Sequence, residues 1–182
     1  MPGDLHAAPH DTQGADPTDP HDAYADAALF MGMNSADDRV RIACKAFFAE
    51  RLGGRVRMSW EQVGRCDDLV WHFPRRLQDA YYPFMDNLHT DMRIERQAYE
   101  PDDLRCGLET PAWAGLPTHE RLLLGMVRNR RGVLYSASPR LSDREDLPVR
   151  APAAPGTEPL FPEPLERLYR ASLALRLPVE AL

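Results

Sequence analysis

The chain of 182 residues has no apolar run near the ~20 residues that a membrane-spanning helix needs. Its N-terminus shows neither the basic stretch nor the apolar core of a signal peptide, so cytoplasmic residence is expected. The three cysteines, Cys44, Cys66 and Cys106, make no CxxC pair, and their odd number argues against a disulfide framework or a zinc knot. Free thiols are expected instead. A Walker A sequence and a GxGxxG turn are both missing, which removes local support for a nucleotide cofactor. No GxSxG surrounds any serine, which disfavours a serine hydrolase. Lysine is almost absent: Lys45 stands alone among many arginines. Net positive charge is also missing, because the chain carries -6. Five aspartates of the first 25 residues account for most of that, leaving -1 on the remainder. Overall charge therefore does not advertise a nucleic-acid binder.

What is present reads as one domain with appendages. Residues 1–22, rich in Pro, Asp and His, cannot bury enough apolar surface to offset ordering entropy and are expected to be a disordered acidic arm. Residues 24–31 (YADAALFM) form the first apolar run, expected to be a buried strand with Asp26 inside it. A helix is expected over 36–52, capped by Ser35, then a strand over 55–59 and a helix from Ser59 to about residue 73. A further helix is expected over 75–92, kinked at Pro83, while 93–100 fits a strand or a helix end. Residues 101–117 look irregular. The clearest helix opens at Thr118 and stops at Gly132, followed by a short buried strand at 133–137. Residues 143–163 read as a Pro-rich linker or loop and 164–182 as a C-terminal helix. Strands alternating with helices predict an α/β fold, a central parallel sheet flanked by helices. Sites in such sheets form at the carboxyl ends of the strands, which brings Asp26 and the segment 135–138 into question.

Three local patterns carry a resemblance: the apolar strand with Asp26, the strand ending at Ser59 before an acid-bearing helix, and ERLLLGMV (120–127) followed by GVLYSASPRL (132–141). Together they resemble a PIN domain, the fold of many metal-dependent ribonucleases and toxin-type nucleases, over residues 23–142. The resemblance implies a metal-dependent cleft with Asp26 as first acid, Glu120 as the helix-opening acid, and Ser136 and Ser138 at the strand end where the family has another acid. At the second acid's usual place stand Gly64 and Arg65, with Glu61 one turn early. The resemblance further implies RNA as substrate and Mg²⁺ or Mn²⁺ as cofactor, since converging carboxylates repel one another unless a cation neutralises them.

The densest polar cluster lies elsewhere, in YYPFMDNLHTDM (81–92). Asp86 and His89 share a helix face and suit a metal or an acid/base pair. Asp86 is thus the alternative third carboxylate of the cleft, with catalytic and metal-binding roles, and His89 a substrate contact. Arg93 and Arg96, with Tyr99 nearby, suit phosphate gripping and base stacking. The chain is accordingly expected to be a divalent-metal phosphodiesterase using Asp26, Glu120, Asp86 and Glu61. The alternatives are an inactive interaction protein of the same fold, dimeric through the aromatic block 81–85, and an enzyme of specialised metabolism built on Asp86 and His89.

Overall fold

A computed structural model describes residues 22–181. The acidic arm therefore lies outside the described residues, except for Asp22, which pairs with Arg55 at 2.6 Å and with Arg57. In chain order come β1 (Ala23–Ala25), α1 (Ala27–Gly32), α2 (Asp38–Glu50), β2 (Arg55–Ser59), α3 (Trp60–Trp71), α4 (Arg75–Asp91) and β3 (Arg93–Gln97). They are followed by α5 (Pro101–Glu109), α6 (Thr118–Asn129), β4 (Val133–Tyr135), α7 (Pro139–Ser142), β5 (Val149–Arg150) and α8 (Glu163–Ser172). The five strands form one parallel sheet in the order β3-β2-β1-β4-β5. The expected α/β architecture is what the chain adopts.

Strand alternation divides the interior into two cores. Tyr24 and Leu134 point to one face, where Trp113, Leu123, Leu124 and Val127 pack on them. Ala25, Val133 and Tyr135 point to the other, beneath α1, α2, α3, α4 and α8. Among the described residues no helix is long and apolar enough to cross a membrane.

The structure redraws several expected elements. The run 24–31 is not one strand: β1 ends at Ala25, and Asp26 caps a helix whose six residues are all buried. A helix buried on every side shows no periodicity, so its apolar residues mimic a strand. The helix after it starts later than expected, with Asp37 as the cap instead of Ser35, its carboxylate accepting from the amides of Arg39 and Val40. The stretch 101–117 contains α5, which opens on Pro101 with a capping box between Glu100 and Asp103. The linker 143–163 contributes β5 to the sheet edge and sends Glu158 back to Arg41 at 2.8 Å and to Lys45 at 2.9 Å. Within the aromatic block 81–85, Tyr81, Phe84 and Met85 are buried in the chain's own core under α8.

Helices α5 and α6 cross with backbone touching backbone. A Cβ on Gly107 would strike the carbonyl of Arg121, and one on Gly125 would strike the carbonyl of Asp103. Neither obstacle is a flexible side chain, so Gly125→Ala is expected to lower stability by roughly 1–3 kcal/mol in equilibrium urea unfolding.

Candidate active site

The chain runs from β1 to β3 on one side of the sheet and then returns to place β4 on the other side of β1. The reversal leaves a crevice at the carboxyl ends of β1 and β4, where open α/β sheets bind ligands. Ala25 pairs with Tyr135, so the next residues, Asp26 and Ser136, leave the sheet side by side. Asp26 is held by its capping role: its Oδ1 accepts from the Leu29 amide at 2.7 Å. Asn or Asp suits this position because its side chain satisfies an orphan helix amide.

A cavity of about 80 Å³ opens here, lined by Asp26, Gln62, Arg65, His119, Glu120, Ser138 and Arg140 among others. Helix α6 delivers Glu120 from its first turn, and the turn into α7 delivers Ser138 and Arg140. Asp26, Glu120 and Ser138, three positions singled out from the sequence, thus share one cleft. Ser136 lies just behind, donating to Asp26 and accepting the Ser138 amide at 3.1 Å.

Burial dominates the electrostatics of Asp26. Desolvation pushes its pKa up from 3.8 to about 6, against the opposing hydrogen bonds from Ser136 and Leu29, with the nearby Glu120 charge adding to the rise. Glu120 is itself buried. Its Oε1 lies 3.1 Å from Arg140 Nε and 4.0 Å from His119 Nε2, but its Oε2 is buried with no partner. Burial lowers the pKa of His119, and the Arg65 and Arg140 charges lower it further. At neutral pH His119 is therefore an uncharged imidazole.

The orphaned Glu120 oxygen, the Asp26 carboxylate and the Ser138 hydroxyl are oxygen donors of the type that Mg²⁺ and Mn²⁺ take, and Mg²⁺ commonly uses one or two carboxylates plus waters. The donor set fits one such ion. No third carboxylate lines the cavity, and among the described residues no group of three or more His, Cys, Asp or Glu side chains is placed to hold a metal.

The other expected site residues are elsewhere. Glu61 is outside the cleft lining, and its Oε2 accepts from the Tyr99 hydroxyl at 2.6 Å. Gln62 occupies the lining instead, with its carbonyl oxygen taken by the Ala27 amide at 2.9 Å. Asp86 and His89 line a separate cavity with Asp67, Tyr82 and Arg96. Helix α3 stands between, presenting Gln62, Arg65 and Leu69 to the cleft and Val63 and Asp67 to that cavity. Asp86 therefore does not converge with Asp26. It does not serve His89 as partner either: His89 Nδ1 accepts from Arg96 at 2.6 Å, and burial together with the Arg96 charge holds its pKa down to about 4. Arg93 starts β3 at the opposite edge of the sheet and pairs with Glu95 at 3.1 Å, away from the cleft.

Sequence reasoning missed Gln62, His119 and Arg140 as lining residues. The only local signal was the Ser59-x-x-Gln62 spacing of a capping box, in which Ser59 does accept the Gln62 amide at 3.2 Å. A family described as a family of unknown function, DUF6190, matches residues 17–182. No curated protein and no solved structure matches the chain.

Proposed function

The chain belongs to the DUF6190 family, and on that premise we propose that it is a PIN-like phosphodiesterase that cleaves RNA with one Mg²⁺ or Mn²⁺ held by Asp26 and Glu120. The observation that carries this reading is the buried, unpartnered Glu120 Oε2 in the same cleft as Asp26. Leaving a charged acceptor buried without a partner costs more than the about 1–3 kcal/mol of a neutral group, and a cation relieves it. The bound ion would lower the pKa of a water and neutralise charge on the phosphoryl oxygens. The chain's own groups supply the rest. Arg65 and Arg140 flank the cavity and suit two oxygens of a phosphodiester. Asp26, with a pKa of about 6 before any ion binds, is mostly ionised at neutral pH and serves as an anionic ligand. The Ser136 hydroxyl fixes the orientation of that carboxylate. Neutral His119, beside Glu120, is able to take the proton of an attacking water, and the leaving oxygen takes its proton from solvent.

The test is incubation with Mn²⁺ and end-labelled single-stranded RNA, read on a gel. Cleavage is expected, and Glu120→Gln is expected to remove it. In parallel, Mn²⁺ is expected to raise the melting temperature of the wild type and to leave that of Glu120→Gln unchanged. Cleavage that survives Asp26→Asn sinks the assignment. A second reading is favoured by the Arg140–Glu120 ion pair and by the engaged carbonyl of Gln62: a fold that binds phosphodiesters without cutting them. Its mark is RNA binding with neither cleavage nor a metal-dependent rise in melting temperature.

A further inference from the structure

The second cavity, about 520 Å³, lies between α3 and α4, with Val63 and Asp67 on one helix and Tyr82, Met85, Asp86 and His89 on the other. Trp60, Val63 and Asp67 fall three and four residues apart and share a face of α3, as Tyr82, Asp86 and His89 do on α4. The two stripes run in opposite directions. At one end the Tyr82 hydroxyl donates to Asp67 at 3.5 Å. At the other, Arg96 of β3 donates to His89 Nδ1 at 2.6 Å and lies 5.7 Å from the centroid of the Trp60 ring. Each stripe spans seven helical steps, from 60 to 67 and from 82 to 89, so the groove is roughly 10 Å long. Its charges are separated and unpaired. Among the described residues, Asp67 and Asp86 have no cation within ion-pair distance, and Arg96 has no carboxylate. Burial lowers the His89 pKa, the Arg96 charge lowers it further, and the Asp86 charge opposes them. Burial raises the Tyr82 pKa, and the Asp67 and Asp86 charges raise it further. Asp86 therefore acts on both ends of the groove. The Arg96 end is held in place, because the neutral His89 ring that accepts from it packs edge-on against Phe30 at 5.4 Å.

We propose that this groove binds a free basic amino acid of the lysine or arginine class, with its carboxylate on Arg96, its α-ammonium at Asp86 and its side-chain cation at Asp67. The charges match in number and in order: one cation and two carboxylates face a ligand with one carboxylate and two cations. Carboxylates alone would take any cation, but the unpaired guanidinium at one end calls for an anion, and its planar fork suits a carboxylate. Asp86 precedes His89 by three residues, roughly 4.5 Å along the axis, which places it for the ammonium next to a carboxylate held by Arg96. The six bonds from the carboxyl carbon of lysine to its terminal nitrogen, each about 1.5 Å, extend to roughly 7–8 Å, and an ion-pair contact at each end fills the groove. Val63 and Met85 offer apolar surface to the methylenes between. The volume is of the order that small-molecule sites have, roughly 300–1,000 Å³. The groove lies on the opposite face of α3 from Gln62 and Arg65, so the inference does not depend on the phosphodiesterase reading.

The full chain is titrated calorimetrically at low salt with L-lysine and L-arginine, and both are expected to bind. Three truncated ligands each remove one contact: cadaverine lacks the carboxylate, Nα-acetyl-lysine the α-ammonium, and L-norleucine the side-chain cation. Each is expected to bind roughly fivefold more weakly than L-lysine, or worse. Each also has a matching variant. Arg96→Gln is expected to weaken L-lysine by a similar factor and to leave cadaverine within about twofold. Asp86→Asn is expected to do the same for L-lysine against Nα-acetyl-lysine, and Asp67→Asn for L-lysine against L-norleucine. The crosswise pattern separates lost contact from misfolding, and the ligand series needs no variant at all. No heat from L-lysine or L-arginine at about 10 mM overturns the proposal. Cadaverine binding as tightly as L-lysine overturns it by reducing the groove to an acidic patch. Nα-acetyl-lysine binding more tightly than L-lysine also overturns it, by making the groove a dock for the last residue of a peptide. None of these outcomes bears on RNA cleavage, which is read separately.

Discussion

Asp26→Asn is expected to abolish RNA cleavage and, in the same molecule, to stabilise the metal-free protein at neutral pH. The amide cannot serve as an anionic ligand, so activity falls by roughly a hundredfold or more. The stability gain comes from the same burial that shapes the site. On folding, the Asp26 pKa rises from 3.8 to about 6. A carboxyl raised in this way favours the folded state only while protonated. The folded chain therefore loses stability as pH climbs above the unfolded value, and the loss is complete above the folded value. In free energy the penalty at neutral pH is roughly 3 kcal/mol. Asparagine keeps the cap on α1, because its side-chain oxygen still reaches the Leu29 amide. Urea unfolding in EDTA, at about pH 4 and about pH 8, checks this. The wild type is expected to weaken over that interval through this group, and Asp26→Asn to escape that part of the decline. A variant less stable than the wild type at the higher pH removes the burial account of Asp26.

The second large effect is expected far from the cleft. Lys45, the chain's single lysine, is fully buried on α2. Its ammonium lies 3.0 Å from Glu166 on α8 and 2.9 Å from Glu158, and sits over the Tyr169 ring at 4.5 Å. Arg41 joins the group, bonding Glu158 and the Tyr169 hydroxyl. Burial of a charge is tolerated only when it is paired. Lys45→Met removes a buried cation from beside the Glu166 carboxylate, whose remaining partners are the exposed Arg170 at 3.1 Å and the Phe161 amide at 3.0 Å, so a loss of about 3 kcal/mol is expected in equilibrium unfolding. Adding Glu166→Gln is expected to recover part of it, since the under-compensated buried charge carries much of the penalty. A double variant as unstable as the single one means that lost packing, not lost pairing, sets the cost.

The periodic parts of the fold were legible from the chain. The strand at 55–59, the helices from Thr118 and from Arg75, and the parallel α/β plan follow from apolar spacing and caps, and they appear in the structure. Helix α1 was hidden because burial on every side erases its period. The strand β5 was hidden because two residues, Val149 and Arg150, are too few to leave a pattern. At the site, Asp26, Glu120 and Ser138 are legible because each sits at a fixed place beside a strand or a helix start. Arg140 and His119 become lining residues only through the fold, and nothing local marks them. Asp86 failed for a geometric reason. A helical face can be read from spacing, but the side of α3 on which that face ends up is decided by packing.

The seam between the turn after α1 and the segment after α8 sets when the cleft matures in folding. Asn34 lies two residues after α1, and its side-chain amide donates to the carbonyls of Ser172 and Leu175. The Leu177 amide donates to the Asn34 carbonyl, and its own carbonyl accepts from Ala36. The turn that fixes α1, and with it the Asp26 cap, is closed by contacts 138 and 141 residues away in sequence. Closing so long a loop costs entropy before its contacts reward it, so the cleft is expected to reach its final geometry late in folding.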